Sequence, residues 1–392
     1  MKKGKILLVR ATPGDLDIQG YNVQQLGLGK AFCHLGYDYD FITFKKNAPR
    51  EEFVFYEENG CKARCLEKPR KRFMRWGINR DIANPSFLEQ YDMIICQEYY
   101  QYQTYLMSCN SDKVSMYSGP YYNLFFPKIL SPIYDLFYTK KVNRQVKNKF
   151  VKSVLAYKFL QNKGYTGLLN VGVALDTARF DKEDLIKPET QKLIDYMKAN
   201  KCILYVGALS DRKNYPFLLH VYEKALERIP DLKFIMIGKS RMSTTAKLFG
   251  KKDEEYAVKY YNPLPQKVKD GIYHLERLDN PQLKFIYPLA KAFLLPSKLE
   301  IFGMVLLEAM YLRTPVISSY NGGSATLIEG RETGQIVKDF DADQWVEAII
   351  KYVEDPDYSV RVTKNAEALI KNEYNWDCIA KKMLDANSLG YL

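Results

Sequence analysis

Short apolar runs alternate with helical patterns along the whole chain. In the first half, Lys5–Arg10 and Tyr39–Phe44 read as strands with a helical pattern between them, and Asp92–Gln97 and Val114–Ser118 are further strand candidates. In the second half, Cys202–Leu209, Lys233–Ile237, Ile272–Leu275, Ala292–Pro296 and Pro315–Ser318 read as strands. Phe217–Arg228, Gly303–Leu312 and Asp343–Val353 read as helices. Strands that alternate with helices predict parallel sheets covered on both faces. A chain of 392 residues is too long for one ordinary core, so two α/β domains are expected. The join is expected between Asp176 and Ala199, around Pro188.

No window reaches the run of about 18 apolar residues that a membrane span needs. At the start, the apolar run Ile6 to Val9 ends at Arg10, which fits a first strand rather than a secretory leader. Seven cysteines with no C-x-x-C spacing read as free thiols of a reducing cytosol; Cys61 and Cys65 are the close pair. His34, His220 and His274 lack zinc-like spacing and read as ordinary packed or surface residues, so no metal site is assigned.

Charge changes this picture. The net charge is +12, and residues 1–175 carry 26 Lys/Arg against 15 Asp/Glu, while the remainder carries 32 against 31. Such an asymmetry suggests that the first domain faces something anionic. Residues 61–80 read as a basic, aromatic-bearing insertion with Arg70, Lys71, Arg72, Phe73, Arg75 and Trp76. Residues 121–160 mix aromatic and aliphatic side chains with Lys128, Lys140, Lys141, Arg144, Lys147 and Lys149. Such mixtures suit an anionic membrane face, a phosphorylated acceptor, or plain solvated charge. None of the named nucleic-acid motifs is present, so no nucleic acid is expected as a partner.

The strongest local signal runs from Pro296 to Met310. A buried strand ends at Pro296, a short loop follows, and a helix begins near Gly303. Ligands of an open parallel sheet bind outside the carboxyl ends of its strands. A helix starting there aims backbone N–H groups at the crevice, which suits a diphosphate. Gly303 lets a phosphate approach the backbone. Glu300 precedes the helix and Glu308 lies more than a turn inside it, so one carboxylate is available for sugar hydroxyls and the other for a ribose diol. Taken alone, two glutamates eight apart are as readily solvated helix-face charges.

The segment from Pro296 to Val337 resembles the donor-binding core of retaining glycosyltransferases of family 4. The resemblance is carried by Glu300 and Glu308 with Phe302-Gly303 between them, Arg313-Thr314-Pro315-Val316-Ile317, Gly322-Gly323 and Thr333-Gly334. It extends to Tyr205-Val206-Gly207-Ala208-Leu209 followed by Lys213, and to Pro230-Asp231-Leu232 with Ile235-Met236-Ile237-Gly238. It also covers Asn170 to Asp176 ending in Phe180, and Gly20 with Leu28, Phe32 and Gly36-Tyr37. Trp376 and the helix after it resemble the family's C-terminal helix that returns to the first domain.

The resemblance implies the GT-B fold, two Rossmann-like domains facing across a cleft. Residues 1–178, with 376–392 packing back, would form the acceptor domain, and 179–375 the nucleotide-sugar domain. It implies transfer from a UDP- or GDP-sugar, bound as a substrate with no cofactor or metal, to a glycan or a lipid-diphosphate-linked acceptor, forming an α-linkage in cell-surface polysaccharide synthesis. The expected location is the cytoplasm, with peripheral attachment to the anionic inner membrane surface. Glu300 and Lys213 are the implied catalytic pair. Gly20, Gly207, Arg212, Glu276, Arg277, Leu278, Phe302, Met304 and Val305 join Lys213, Glu300, Gly303 and Glu308 on the donor side, and Ser118, Gly119 and Tyr121 lie on the acceptor side.

The chain departs from the family pattern at four places. Ala208 stands where arginine is usual, with Arg212 nearby as a substitute. Glu276 and Thr326 replace a usual glycine and glutamate. Met116 to Tyr121 lacks the acceptor-side histidine. A nucleotide-sugar epimerase of the same fold and a non-catalytic nucleotide-binding module are the alternatives these departures leave open.

Overall fold

The computed structural model describes residues 2–11, 23–45, 52–69, 71–73, 76–123, 131–239 and 257–388. They belong to two compact units, one of Met1–Asp176 with Glu373–Leu392 and one of Thr177–Asn372. Pro188 opens the helix Pro188–Ala199 inside the second unit.

In the first unit the described strands of the main sheet are β1 (Gly4–Arg10), β2 (Tyr37–Lys45), β3 (Glu52–Glu58), β4 (Cys61–Pro69), β7 (Met93–Gln97), β8 (Val114–Ser118), β9 (Lys149–Val151) and β10 (Leu168–Asn170). Their order is β10-β9-β8-β7-β1-β2-β4-β3. All neighbours run parallel except β3 against β4. Short β5 (Lys71–Phe73) and β6 (Trp76–Ile78) pair as a separate antiparallel hairpin.

The structure corrects the reading of residues 61–80 as an insertion. Residues 61–69 are β4, an interior strand between β2 and β3. Cys61, Ala63 and Cys65 point into the core with almost no exposure. On the other face, Arg64 donates from Nε and Nη2 to the two oxygens of Asp40 at 2.8 and 2.9 Å. Lys5 Nζ and Tyr91 Oη reach the same buried carboxylate, each at 2.8 Å. Part of the basic excess is thus consumed in holding strands together. Arg70 and Arg75 lie outside the described residues, as do the side chains of Lys71, Arg72, Phe73 and Trp76.

The helix Trp376–Ser388 packs on Gln24–His34 in this unit. A Cβ on Gly27 would sit 2.2 Å from Trp376 Nε1, so only glycine lets the indole lie flat there. His34 Nδ1 meets Asp377 at 2.8 Å.

In the second unit the described strands are β11 (Lys201–Val206), β12 (Leu232–Ile237), β13 (Ile272–Leu275), β14 (Ala292–Leu295), β15 (Val316–Ser319) and β16 (Gln335–Val337). They run parallel in the order β13-β12-β11-β14-β15-β16. Every residue of β14 is fully buried, which is why it reads as an unbroken apolar run. The helices Tyr215–Arg228 and Ala342–Glu354 cover one face, with Trp345 at the centre of that core. Among the described residues no helix is long and apolar enough to cross a membrane.

Five of the seven thiols are buried: Cys33, Cys61, Cys65, Cys96 and Cys202. Burial pushes Cys33, Cys96 and Cys202 up to about 12. Because the thiolate is the nucleophile, a disulfide-exchange reagent at mildly alkaline pH is expected to titrate exposed Cys109 quickly and half-buried Cys378 slowly. The buried five should react only after denaturation, and rapid loss of three or more thiols from the native protein would contradict this.

Candidate functional site

In the second unit the chain steps from β11 outward through β12 to β13, then crosses back to β14 on the other side of β11. The strand order therefore reverses between β11 and β14. At such a switch point the connections leave in opposite directions and open a crevice at the carboxyl ends. The segments after these two strands, 207–214 and 296–303, bring Lys213 and Glu300 together across 87 positions of sequence.

Lys213 Nζ bonds Glu300 Oε2, and Arg212 Nη1 lies 3.3 Å from the same oxygen. Arg212 also donates to the Leu299 carbonyl at 2.9 Å, and its own carbonyl accepts from Lys298 N at 2.9 Å. The Lys213 and Glu300 side chains are only 11% and 13% exposed, against 52% for Arg212. The pair is thus largely desolvated, with one guanidinium at its rim. Arg212 shares the Glu300 carboxylate with Lys213, whereas Ala208 contributes a carbonyl that accepts from Tyr205 Oη at 2.8 Å.

The 296–303 loop is fixed from below. Gly303 has φ +84 and opens the helix Met304–Tyr311, and Phe302 is buried beneath it. The loop after β15 packs directly against it. Gly322 N donates to the Glu300 carbonyl at 3.1 Å, and a Cβ on Gly323 would lie 1.7 Å from the Phe302 carbonyl oxygen. Asn321, fully buried, holds that loop by accepting from Gly323 N and Ser324 N and donating to Ser318 and Ser319.

Glu308 does not join this cluster. It is fully buried, with Arg179 Nη2 at 3.0 Å and Tyr287 Oη at 3.3 Å. Arg179 belongs to the short helix Ala178–Asp181. Glu276, Arg277 and Leu278 follow β13, two strands away from β11. Glu276 pairs with Lys239 at 3.1 Å, Arg277 is 81% exposed near Asp279, and Leu278 is buried. Gly207 directly follows β11, with its N–H on the Ile237 carbonyl at 2.9 Å. Met304 and Val305 form the first turn of their helix. Gly20 lies outside the described residues.

The first unit repeats the topology, with its reversal between β1 and β7. Ser118, Gly119 and Tyr121 stand at and beyond the carboxyl end of β8. Ser118 Oγ and Gly119 N donate to Glu98 Oε2 at 3.3 and 3.1 Å, and Lys152 Nζ donates to Glu98 Oε1 at 3.3 Å. Tyr121 packs edge-on against Tyr122. Glu98 has φ +72, a left-handed conformation that costs a non-glycine residue about 1–2 kcal/mol. Glu98, Lys152, Arg179 and Asn321 carry polar chemistry that motif reading passed over. The signal available for Glu98 was its position just after an apolar strand. A depression lined by Met197, Lys201, Asp231 and Lys291 lies at the amino ends of β11 and β14, away from all these groups.

Two Rossmann-like units in one chain define the GT-B class of fold. Sucrose-phosphate synthase from Thermosynechococcus elongatus superposes with a TM-score of 0.68 at 20% identity, covering 99% of each chain. An Anabaena protein, HepE, solved with UDP and glucose, superposes with a TM-score of 0.65 at 14% identity over 98% of this chain and 100% of that one. Residues 189–369 match the family Glycosyl transferases group 1. Spore coat protein SA of Bacillus subtilis is 24% identical over 239 residues, which are 60% of this chain and 62% of the relative. The chain spans less than two thirds of the length of the curated relatives it first matches.

Proposed function

We propose that the protein is a retaining glycosyltransferase that takes a sugar from a UDP- or GDP-sugar. The observation that carries this is the Lys213–Glu300 pair at the β11/β14 switch point, beside the start of the helix Met304–Tyr311. A sugar nucleotide offers two partners for that pair. Its β-phosphate takes the ammonium, and its sugar hydroxyls donate to the carboxylate. Donor binding would exchange one desolvated ion pair for two complementary contacts, with the amides of Met304 and Val305 leading the helix towards the phosphates.

In the reaction the bond from the anomeric carbon to the β-phosphate oxygen breaks, and the acceptor oxygen bonds to that carbon on the same face. The acceptor proton passes to the departing phosphate, so a protein base is not essential, in keeping with the missing histidine. Lys213, aided by Arg212, would neutralise the leaving charge without a metal. Glu308 would hold the ribose after exchanging part of its contact with Arg179. Gly207 and the residues Glu276 to Leu278 would border the base side. The second unit is thus the donor domain and the first the acceptor domain, with Ser118, Gly119 and Tyr121 towards a glycan or lipid-diphosphate-linked acceptor. The relative solved with UDP and glucose supports the donor class. The basic first half supports an anionic, membrane-borne acceptor of cell-surface polysaccharide synthesis at the cytoplasmic face.

A thermal-shift panel of UDP-, GDP- and ADP-sugars tests the donor. A specific donor at about 100 times its Kd adds about 2.7 kcal/mol to the stability of the form that binds it. No shift with any of them would remove the reading. A β-linked product from an α-linked donor would remove its retaining part.

A further inference from the structure

The helical run 131–145 consists of three consecutive segments, Ser131–Tyr134, Asp135–Thr139 and Lys140–Gln145. Tyr134, Thr139 and Val142 are buried against the first unit. The opposite face exposes Ile133, Leu136, Phe137, Lys140, Lys141 and Arg144 at intervals of about one turn. Ile133, Leu136 and Phe137 are 54%, 54% and 58% exposed. Single exposed apolar residues are ordinary, but three large ones side by side on two turns form a patch that marks an interaction surface.

The same face then changes from apolar to cationic along its length. Asp135 is the one acidic residue between 131 and 145. It is occupied inward, accepting from Thr139 Oγ1 at 2.9 Å and pairing with Lys163. The face therefore presents three cations and no carboxylate of its own helix. Aliphatic and aromatic side chains beside a cationic end match the two layers of a bilayer surface, acyl boundary and anionic headgroups.

We propose that the exposed face of residues 131–145 seats the first unit on an anionic lipid surface, with Ile133, Leu136 and Phe137 entering the interface and Lys140, Lys141 and Arg144 meeting lipid phosphates. This deepens, and rests on, the reading of a lipid-borne acceptor, because a seated first unit shares a plane with such a substrate.

The test is co-sedimentation of the full chain with vesicles of phosphatidylcholine alone or mixed with phosphatidylglycerol. Binding is expected on the mixed vesicles and falls at least about tenfold with L136S/F137S and with K140E/K141E/R144E. Melting temperature and the donor thermal shift should be unchanged in both variants, since all five positions are exposed. No binding of the parent to mixed vesicles, or undiminished binding of either variant, overturns the proposal. So does light scattering that shows a parent dimer lost in L136S/F137S without vesicle binding, which would make the face a contact between two copies. Donor stabilisation without vesicle binding defeats the docking alone. Vesicle binding without donor stabilisation defeats the transferase reading alone.

Discussion

Lys213→Met is expected to lower kcat about 10²–10³-fold, the usual cost of deleting one preorganised group from a site of developing charge. The reasoning starts from the ion pair. The ammonium is mostly buried and already held against the Glu300 carboxylate, so little reorganisation would be needed for a phosphate to replace that carboxylate. Arg212 lies 3.3 Å from Glu300 and is unchanged in the variant, so the carboxylate is expected to keep a cationic partner and the fold to melt near the parent temperature. Glu300→Gln keeps the shape but loses the charge that, on the proposed function, would accept sugar hydroxyls, and is expected to lower kcat/KM by a similar factor. Steady-state kinetics with the donor found by thermal shift separates the two. A Lys213→Met enzyme within about threefold of the parent kcat would show that this lysine does not act on the leaving group.

Glu308→Ala carries the largest expected cost to stability. Its carboxylate is fully buried on Arg179 and Tyr287, and removing one partner of a buried pair costs roughly 3–5 kcal/mol. Arg179 keeps 21% of its side chain exposed, which places the expectation at about 3 kcal/mol, or roughly 6–12 °C in melting temperature for a unit of this size. The double variant Arg179→Met with Glu308→Leu should recover much of this loss, because well-packed apolar replacements of buried pairs are often neutral. If Glu308 also holds the ribose, nucleotide affinity stays low in the double variant while stability returns. Calorimetry of both variants decides this, and a Glu308→Ala protein within about 0.5 kcal/mol of the parent would refute the burial argument.

Strands that are apolar on both faces were readable from their residues alone. Met93–Gln97 and Ala292–Leu295 are fully buried runs, and no alternative element suits so short an apolar segment between turns. β4 was not readable in the same way. Its outward positions hold Lys62 and Arg64, whose charges are paired in space with residues 57, 52 and 40, so a core strand looked like a basic insertion. β9, β10 and β16 are three residues each, too short for any period to register.

The candidate site divides along similar lines. The loop, glycine and helix from Pro296 to Tyr311 are contiguous, and their order carries the geometry. The bond between Lys213 and Glu300 is not contiguous and depends on the sheet order, which places β11 beside β14. Glu98 and Arg179 are not legible in the sequence for the same reason, because their partners Lys152 and Glu308 are 54 and 129 positions away. Single-sequence patterns report neighbours along the chain, and ion pairs report neighbours in space.

The return of residues 373–388 to the first unit has a consequence for synthesis. Trp376 fills the space over Gly27, but the ribosome reaches it only after all of Thr177–Asn372 has been made. The segment translated first must therefore wait for its last piece, while the later, uninterrupted segment can close as soon as it emerges. Folding order is expected to invert the order of translation, leaving the nascent amino-terminal half as the client for chaperones.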